Sequence, residues 1–149
     1  MNTIAEIRVN GLPAPQGSKK HVGRGIMVEA SKRVAPWRQD VRAACCHSYF
    51  GMPVSCAVHV EITFWFPRPK KHYRTGRFAG LLKENAPTHT TSHSCGDIDK
   101  LLRATFDGLA HTTGGIVLKD DSQVVSLCTE KLYATDEPPG ALIKVLESY

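Results

Sequence analysis

The run SCAVHVEITFWF, residues 55–66, alternates with a period of two: Val58, Val60, Ile62 and Phe64 fall on one side, His59, Glu61, Thr63 and Trp65 on the other. Successive side chains leave a strand in opposite directions, so this pattern belongs to a strand with one core face and one wetter face. A sheet with such a face must bury it against another layer. The run is also the longest apolar stretch of the chain, and its His59 and Glu61 leave it far short of the roughly 20 apolar residues that a bilayer requires.

The covering layer is expected from two helical patterns. From residue 31 or 35 to residue 50, Trp37, Val41, Ala44, Cys45 and Tyr49 recur at helical spacing, with Pro36 near the first turn and Gly51 just past the end. A second helix starts near Ile98 and carries Ile98, Leu101, Leu102, Thr105, Phe106 and Leu109 on one face. Residues 111–115 end it. Residues 5–11 read as a first strand closed by Asn10-Gly11, residues 12–25 as a loop with Pro13, Pro15 and three glycines, and residues 26–30 as a short returning strand. One or two strands are expected over 115–134 around an Asp120-Asp121 corner, then a turn at 136–140 and a last strand over 141–148. The order β–(β)–α–β–α–β–β–β shows no internal repeat. It predicts an α+β (mixed α/β) fold: a single small domain over 1–149, with a mixed sheet packed by two main helices. A chain of 149 residues suits one domain.

No basic segment followed by a long apolar run opens the chain, so no secretory leader is expected. Five cysteines, Cys45, Cys46, Cys56, Cys95 and Cys128, form no CxxC pair. They read as reduced thiols in a cytoplasm rather than a disulfide framework. Cys45-Cys46 is expected in the core of the first helix.

The net charge of +5 divides unevenly. Residues 1–90 carry 14 Lys and Arg against 5 Asp and Glu, whereas residues 91–149 carry 5 against 9. The basic part includes GSKKHVGRG, SKRVAPWR and PRPKKHYRTGR, in which cations alternate with Gly, Pro, His, Tyr and Trp. That composition suits a phosphate backbone, although a solvated face accounts for charge alone equally well. Residues 67–96 lack a clean period, and a loop of that length is usually functional or mobile. Its basic first half favours binding. The contact candidates are Lys19, Lys20, Arg24, Arg68, Lys70, Lys71 and Arg74, with His72 and Tyr73 available for stacking.

Against this background the acids of GDIDKLLRATFDGL and KDDSQV need a reason. Asp97 sits at the mouth of the second helix, Asp99 beside its apolar stripe, and Arg103 one turn beyond Asp99. A carboxylate at a helix mouth can simply cap free N–H groups, and an Asp-Asp pair can be a polar turn. Capping explains one acid, not two. If a short strand returns Asp120 and Asp121 to the same mouth, the convergent carboxylates repel one another unless a cation joins them. Hard oxygen ligands of that number suit Mg²⁺ or Mn²⁺.

The same residues resemble a family. GDIDKLLRATFDGL, then KDDSQV and EKLYA, together with GLPAPQGSKKHVGRG, PWRQDV and FWFPRPKKHY, are similar to the RusA Holliday junction resolvases over nearly the whole chain and in order. The resemblance implies a homodimeric, Mg²⁺-dependent endonuclease of four-way DNA junctions, with Mn²⁺ as a possible substitute. It would act in recombination and repair in a bacterial cytoplasm, or be phage-encoded and act in the host. Carried over by position, the catalytic acids are Asp97, Asp99 and Asp121, with Asp120 as their neighbour in the metal site. The basic catalytic position falls on Arg103 where well-studied members carry Lys. Guanidinium stays charged, so Arg103 would clamp phosphate or stabilise charge rather than donate a proton. Gly96 stands where many relatives have Pro, which implies a less rigid helix entrance.

Three rival readings remain. A zinc site would use His89, His93 and Cys95 with Cys56 or Cys128, but the spacing is irregular. A nonenzymatic nucleic-acid-binding module would leave the acids as a cap and a turn. A nucleotide-sugar transferase would use Asp-x-Asp for Mn²⁺, but no glycine-rich phosphate loop in a doubly wound pattern supports it.

Overall fold

The structure is a computed structural model and describes residues 2–17, 19–21, 27–29 and 32–148; the side chains of residues 18–31 lie outside that description. The elements are β1 (Thr3–Asn10), β2 (Lys19–His21), β3 (Met27–Glu29), α1 (Val34–Ser48), β4 (Val58–Phe66), α2 (Ile98–Leu109), β5 (Val124–Tyr133) and β6 (Gly140–Glu147). Four strands form one sheet in the order β1-β6-β4-β5, and β2 and β3 form a separate hairpin. The fold is α+β with a mixed sheet, as expected.

β4 lies inside the sheet, antiparallel to β6 and parallel to β5. Its predicted core side is buried: Val58, Val60, Ile62 and Phe64 are each at most 1% exposed. Ile7 and Val9 of β1 and Ala141, Ile143 and Val145 of β6 continue that face. β1 pairs antiparallel with β6, so β1, β4 and β5 all run the same way. A parallel β4–β5 pair needs a crossover, which α2 supplies.

The two helices cover the core face and pack on each other. The predicted stripe of α2 is buried at Leu101, Leu102, Thr105 and Leu109, while Ile98 and Phe106 are half-buried. Ala104 and Gly108, absent from that stripe, are buried as well. A Cβ at Gly108 would stand 2.7 Å from Val41 Cγ1, so a small residue there sets the close approach of α1. Trp37 of α1 is fully buried and donates from Nε1 to Thr105 Oγ1 at 3.1 Å. Trp65 stays on the open face under the Arg8 guanidinium, 4.6 Å from the ring centroid.

Of the one or two strands expected around the acidic corner, one, β5, is present and follows it; residues before it make isolated bridges, Leu118 with Val54 and with Ala110. Two expectations need correction. Residues 19–21, read as loop, form β2 because they pair with β3, a contact that local sequence does not encode. Of the Cys45-Cys46 pair, Cys45 is buried and Cys46 exposed, since neighbours on a helix face different ways. All five cysteines are free thiols.

Candidate active site

Because β1, β4 and β5 run in one direction, their carboxyl ends share one end of the sheet. The loop after β1 leads there into the β2–β3 hairpin, and the long basic loop starts there after β4. The mouth of α2 is tied to the same end: Lys131, near the close of β5, donates from Nζ to Gly96 O at 2.8 Å. The β1 loop reaches it too, with Gln16 N donating to Lys100 O at 2.9 Å.

At this mouth Asp97 occupies the N-cap position of α2, with φ −78° and ψ 145°, yet its side chain accepts no capping bond. Its carbonyl takes Lys100 N and Leu101 N instead. The carboxylate is exposed and has no partner among the described residues. Asp99 is exposed; Lys100 Nζ donates to Oδ2 at 3.1 Å and holds this carboxyl below the usual range. Asp99, Arg103 and Phe106 follow at i, i+4 and i+7 and so lie along one flank of α2. Arg103 is exposed and unpaired among the described residues.

The other two acids belong to the opposite end. Asp120 caps the short 3-10 turn Asp121–Gln123 as part of a capping box: its Oδ2 accepts from Ser122 N at 3.1 Å, and its own N–H donates to Gln123 Oε1 at 2.8 Å. Thr112 Oγ1 donates to its Oδ1 at 3.0 Å. The bond from Ser122, and then that from Thr112, lower the pKa of this carboxyl. Asp121 is exposed, carries no such bonds, and shares a shallow groove with Phe106, Val124 and Leu127. α2 and β5 therefore run oppositely: Gly96 meets Lys131, and Phe106 meets the Asp121 end. Seven residues of helix, about 10 Å, separate the level of Asp99 from that of Phe106. Among the described residues no three acids, histidines or cysteines come together as ligands for one ion. The zinc candidates scatter likewise: His89 faces Glu130 at 3.3 Å, and Cys95 is buried against Thr90.

The basic candidates divide. Arg24 lies outside the described residues, and of Lys19 and Lys20 only the backbone is described, in β2. Lys70, Lys71 and Arg74 are exposed, as are Arg77 and Lys83 on the same lobe. Arg68, half-buried, is engaged with its own lobe: Nη1 donates to Pro87 O at 2.7 Å and meets His72 Nδ1 at 3.2 Å, Nε donates to Thr135 Oγ1 at 3.2 Å, and the guanidinium stands over Tyr133. His72, read as a stacking residue, is buried and meets Tyr133 edge-on at 4.8 Å. The long loop is thus a pinned lobe with outward lysines.

Gly96 refines a second expectation. It adopts φ +90°, a conformation closed to proline, and a Cβ there would stand 2.5 Å from Pro15 Cγ. Pro15, the Lys131 bond and the Gly96 N bond to His93 O hold the entrance. Rigidity comes from packing rather than from a ring. Lys131, Gln16, Arg38 and Asp107 lie within the motifs that carry the resemblance but are given no individual role there; the structure joins Lys131 to Gly96 and Gln16 to Arg38 and Asp107, contacts between residues distant in the chain.

Residues 10–146 match the family model described as Endodeoxyribonuclease RusA. The chain belongs to the RusA family. No curated protein matches it. RusA proteins are endodeoxyribonucleases, hydrolases of DNA phosphodiester bonds, and the family implies a Holliday junction-resolving enzyme acting on branched DNA. Nucleases of this kind generally use a divalent metal. Asp97 and Asp99, separated by one residue, are exposed carboxylates, a donor type that suits such ions. Among the described residues no helix is long and apolar enough to cross a membrane.

Proposed function

We propose that this RusA protein resolves four-way DNA junctions by Mg²⁺-dependent phosphodiester hydrolysis, as a homodimer, in DNA recombination and repair. The observation that carries the reading is the mouth of α2: Asp97 is not spent on capping, and it lies at the end of the sheet from which both basic segments spring. Asp97, Asp99 and Asp121 are the proposed ligands, with Mn²⁺ as a substitute ion. When bound, a divalent ion would make a water easier to deprotonate and polarise a phosphate oxygen.

The remaining work falls to the chain. Asp120, through its capping box, fixes the turn that presents Asp121. Arg103, permanently charged and on the flank of Asp99, holds a phosphate oxygen and stabilises its developing charge without moving a proton. Lys19, Lys20, Arg24, Lys70, Lys71 and Arg74 neutralise phosphates and set the register of the arms. Arg68 acts indirectly, by bracing the lobe that carries Lys70 and Lys71. Asp121 stands one helix flank away from the mouth, so Asp97 and Asp99 are the ligands proposed at the mouth itself and Asp121 the one proposed from the neighbouring turn. A homodimer would match two opposed strands to be cut.

The test is a cleavage panel of junction, flap, fork and duplex DNA with Mg²⁺, Mn²⁺ and chelator. Junction cleavage with either metal and none with chelator is expected. Asp97→Asn, Asp99→Asn and Asp121→Asn should each lower cleavage by on the order of 100-fold or more while junction binding persists. Cleavage at wild-type rates by these variants would sink the assignment.

A further inference from the structure

Gln16 is a buried polar side chain, 6% exposed, in the loop between β1 and β2. Its Nε2 donates to Asp107 Oδ2 at 2.7 Å, and its Oε1 accepts from Arg38 Nε at 2.8 Å. Its backbone N donates to Lys100 O. One residue thus joins a loop, α1 and α2. Arg38 and Asp107 stand 3.9 Å apart, so the amide is inserted across an ion pair with its dipole matched to both charges.

Its neighbours also approach α2 closely. A Cβ on Gly17 would fall 2.4 Å from Lys100 Cδ, and Pro15 lies against Gly96. Residues 15–17 therefore lie along the first turns of α2, and β2 begins only two residues later, at Lys19. We propose that Gln16 is a positioning residue: it fixes the β2–β3 hairpin at the acidic mouth of α2, so that phosphates held by the hairpin lie in register with Asp97 and Asp99. The consequence for cleavage rests on the nuclease reading; the placement of the hairpin does not. Arg38 and Asp107 can pair directly without the amide, so the fold itself does not depend on it.

Two variants of the full chain test this. Gln16→Met keeps the volume and removes both side-chain bonds. Gln16→Glu keeps the acceptor for Arg38 but, when ionised, turns a second carboxylate toward Asp107. The charged groups facing that position are Arg38 from α1 and Asp107 and Lys100 from α2. A proton on the introduced carboxyl restores the donor, and the adjacent carboxylate favours its uptake.

Both variants should melt within a few degrees of wild type. Amide exchange of residues 19–21 and 27–29 should quicken at pH 8. The Kd for a labelled four-way junction in chelator should rise about tenfold, and single-turnover cleavage at saturating DNA should also fall. At pH 5.5 the defect relative to wild type should shrink for Gln16→Glu and persist for Gln16→Met. Folded variants with wild-type exchange and Kd overturn the proposal, as does an equal Gln16→Glu defect at both pH values. Loss of folding in both variants overturns it too, since Gln16 would then hold the fold rather than the hairpin. A wild-type protein that binds no branched DNA sinks the functional reading alone, because the exchange comparison still stands.

Discussion

A carboxylate at a helix N-cap ordinarily spends its lone pairs on the first free N–H groups. Asp120 does so at its short turn and Asp97 does not, which separates a structural acid from an available one. Asp120→Ala should therefore lower cleavage by about 10–100-fold, the usual effect of losing a residue that orients a ligand, measured as single-turnover rates at saturating Mg²⁺. Asp97→Asn should act more severely with unchanged thermal stability. At Gly96 the positive φ and the wall of Pro15 make a side chain costly: Gly96→Ala should destabilise by about 1–3 kcal/mol in urea denaturation. Among the thiols, burial pushes Cys45 up to about 12. A thiol-specific reagent should accordingly modify the exposed Cys46 and Cys128 in the native protein and reach Cys45 only on unfolding. The types of these residues were legible in the sequence. Their bonding was not, because Asp120 is satisfied by Thr112 and Ser122 only once the turn closes back on the end of α2.

At the level of elements, β4 and α2 were read correctly because a core face repeats locally, every two residues or at helical spacing. Phe64→Ala, which empties a fully buried site on β4, should cost about 3–5 kcal/mol, read from the denaturation midpoint at constant m. β2 escaped the reading because a three-residue strand exists only through its partner. The lobe after β4 has a pH dependence of its own. Burial first, then Arg68, Lys71 and Lys83, lower the pKa of His72. The unfolded imidazole binds a proton near pH 6.5 and the folded one only at lower pH. Stability should fall as pH drops below about 6.5 and level off beneath the folded value. An NMR titration of His72 with parallel denaturation curves checks this; a titration at or above pH 6.5 would contradict it.

Across the whole molecule, the described cations of the lobe after β4, Lys70, Lys71 and Arg74, are exposed. Lys70→Ala with Lys71→Ala should weaken junction binding and flatten the plot of log K against log salt by about two if each lysine meets one phosphate. Composition, spacing and the reach of a carboxylate determined by themselves that the chain makes a one-sided sheet with two amphipathic helices, carries basic segments, and offers hard-ligand acids near a helix mouth. Those properties are local, fixed by residue type and by the geometry of a single element. Only the tertiary structure decided which acid is free and which is a cap, that Arg68 and His72 brace a lobe from within, and that Gln16 and Lys131 hold the mouth. Each of those outcomes depends on strand direction and on contacts between residues far apart in the chain, and side-chain periodicity carries no information about either.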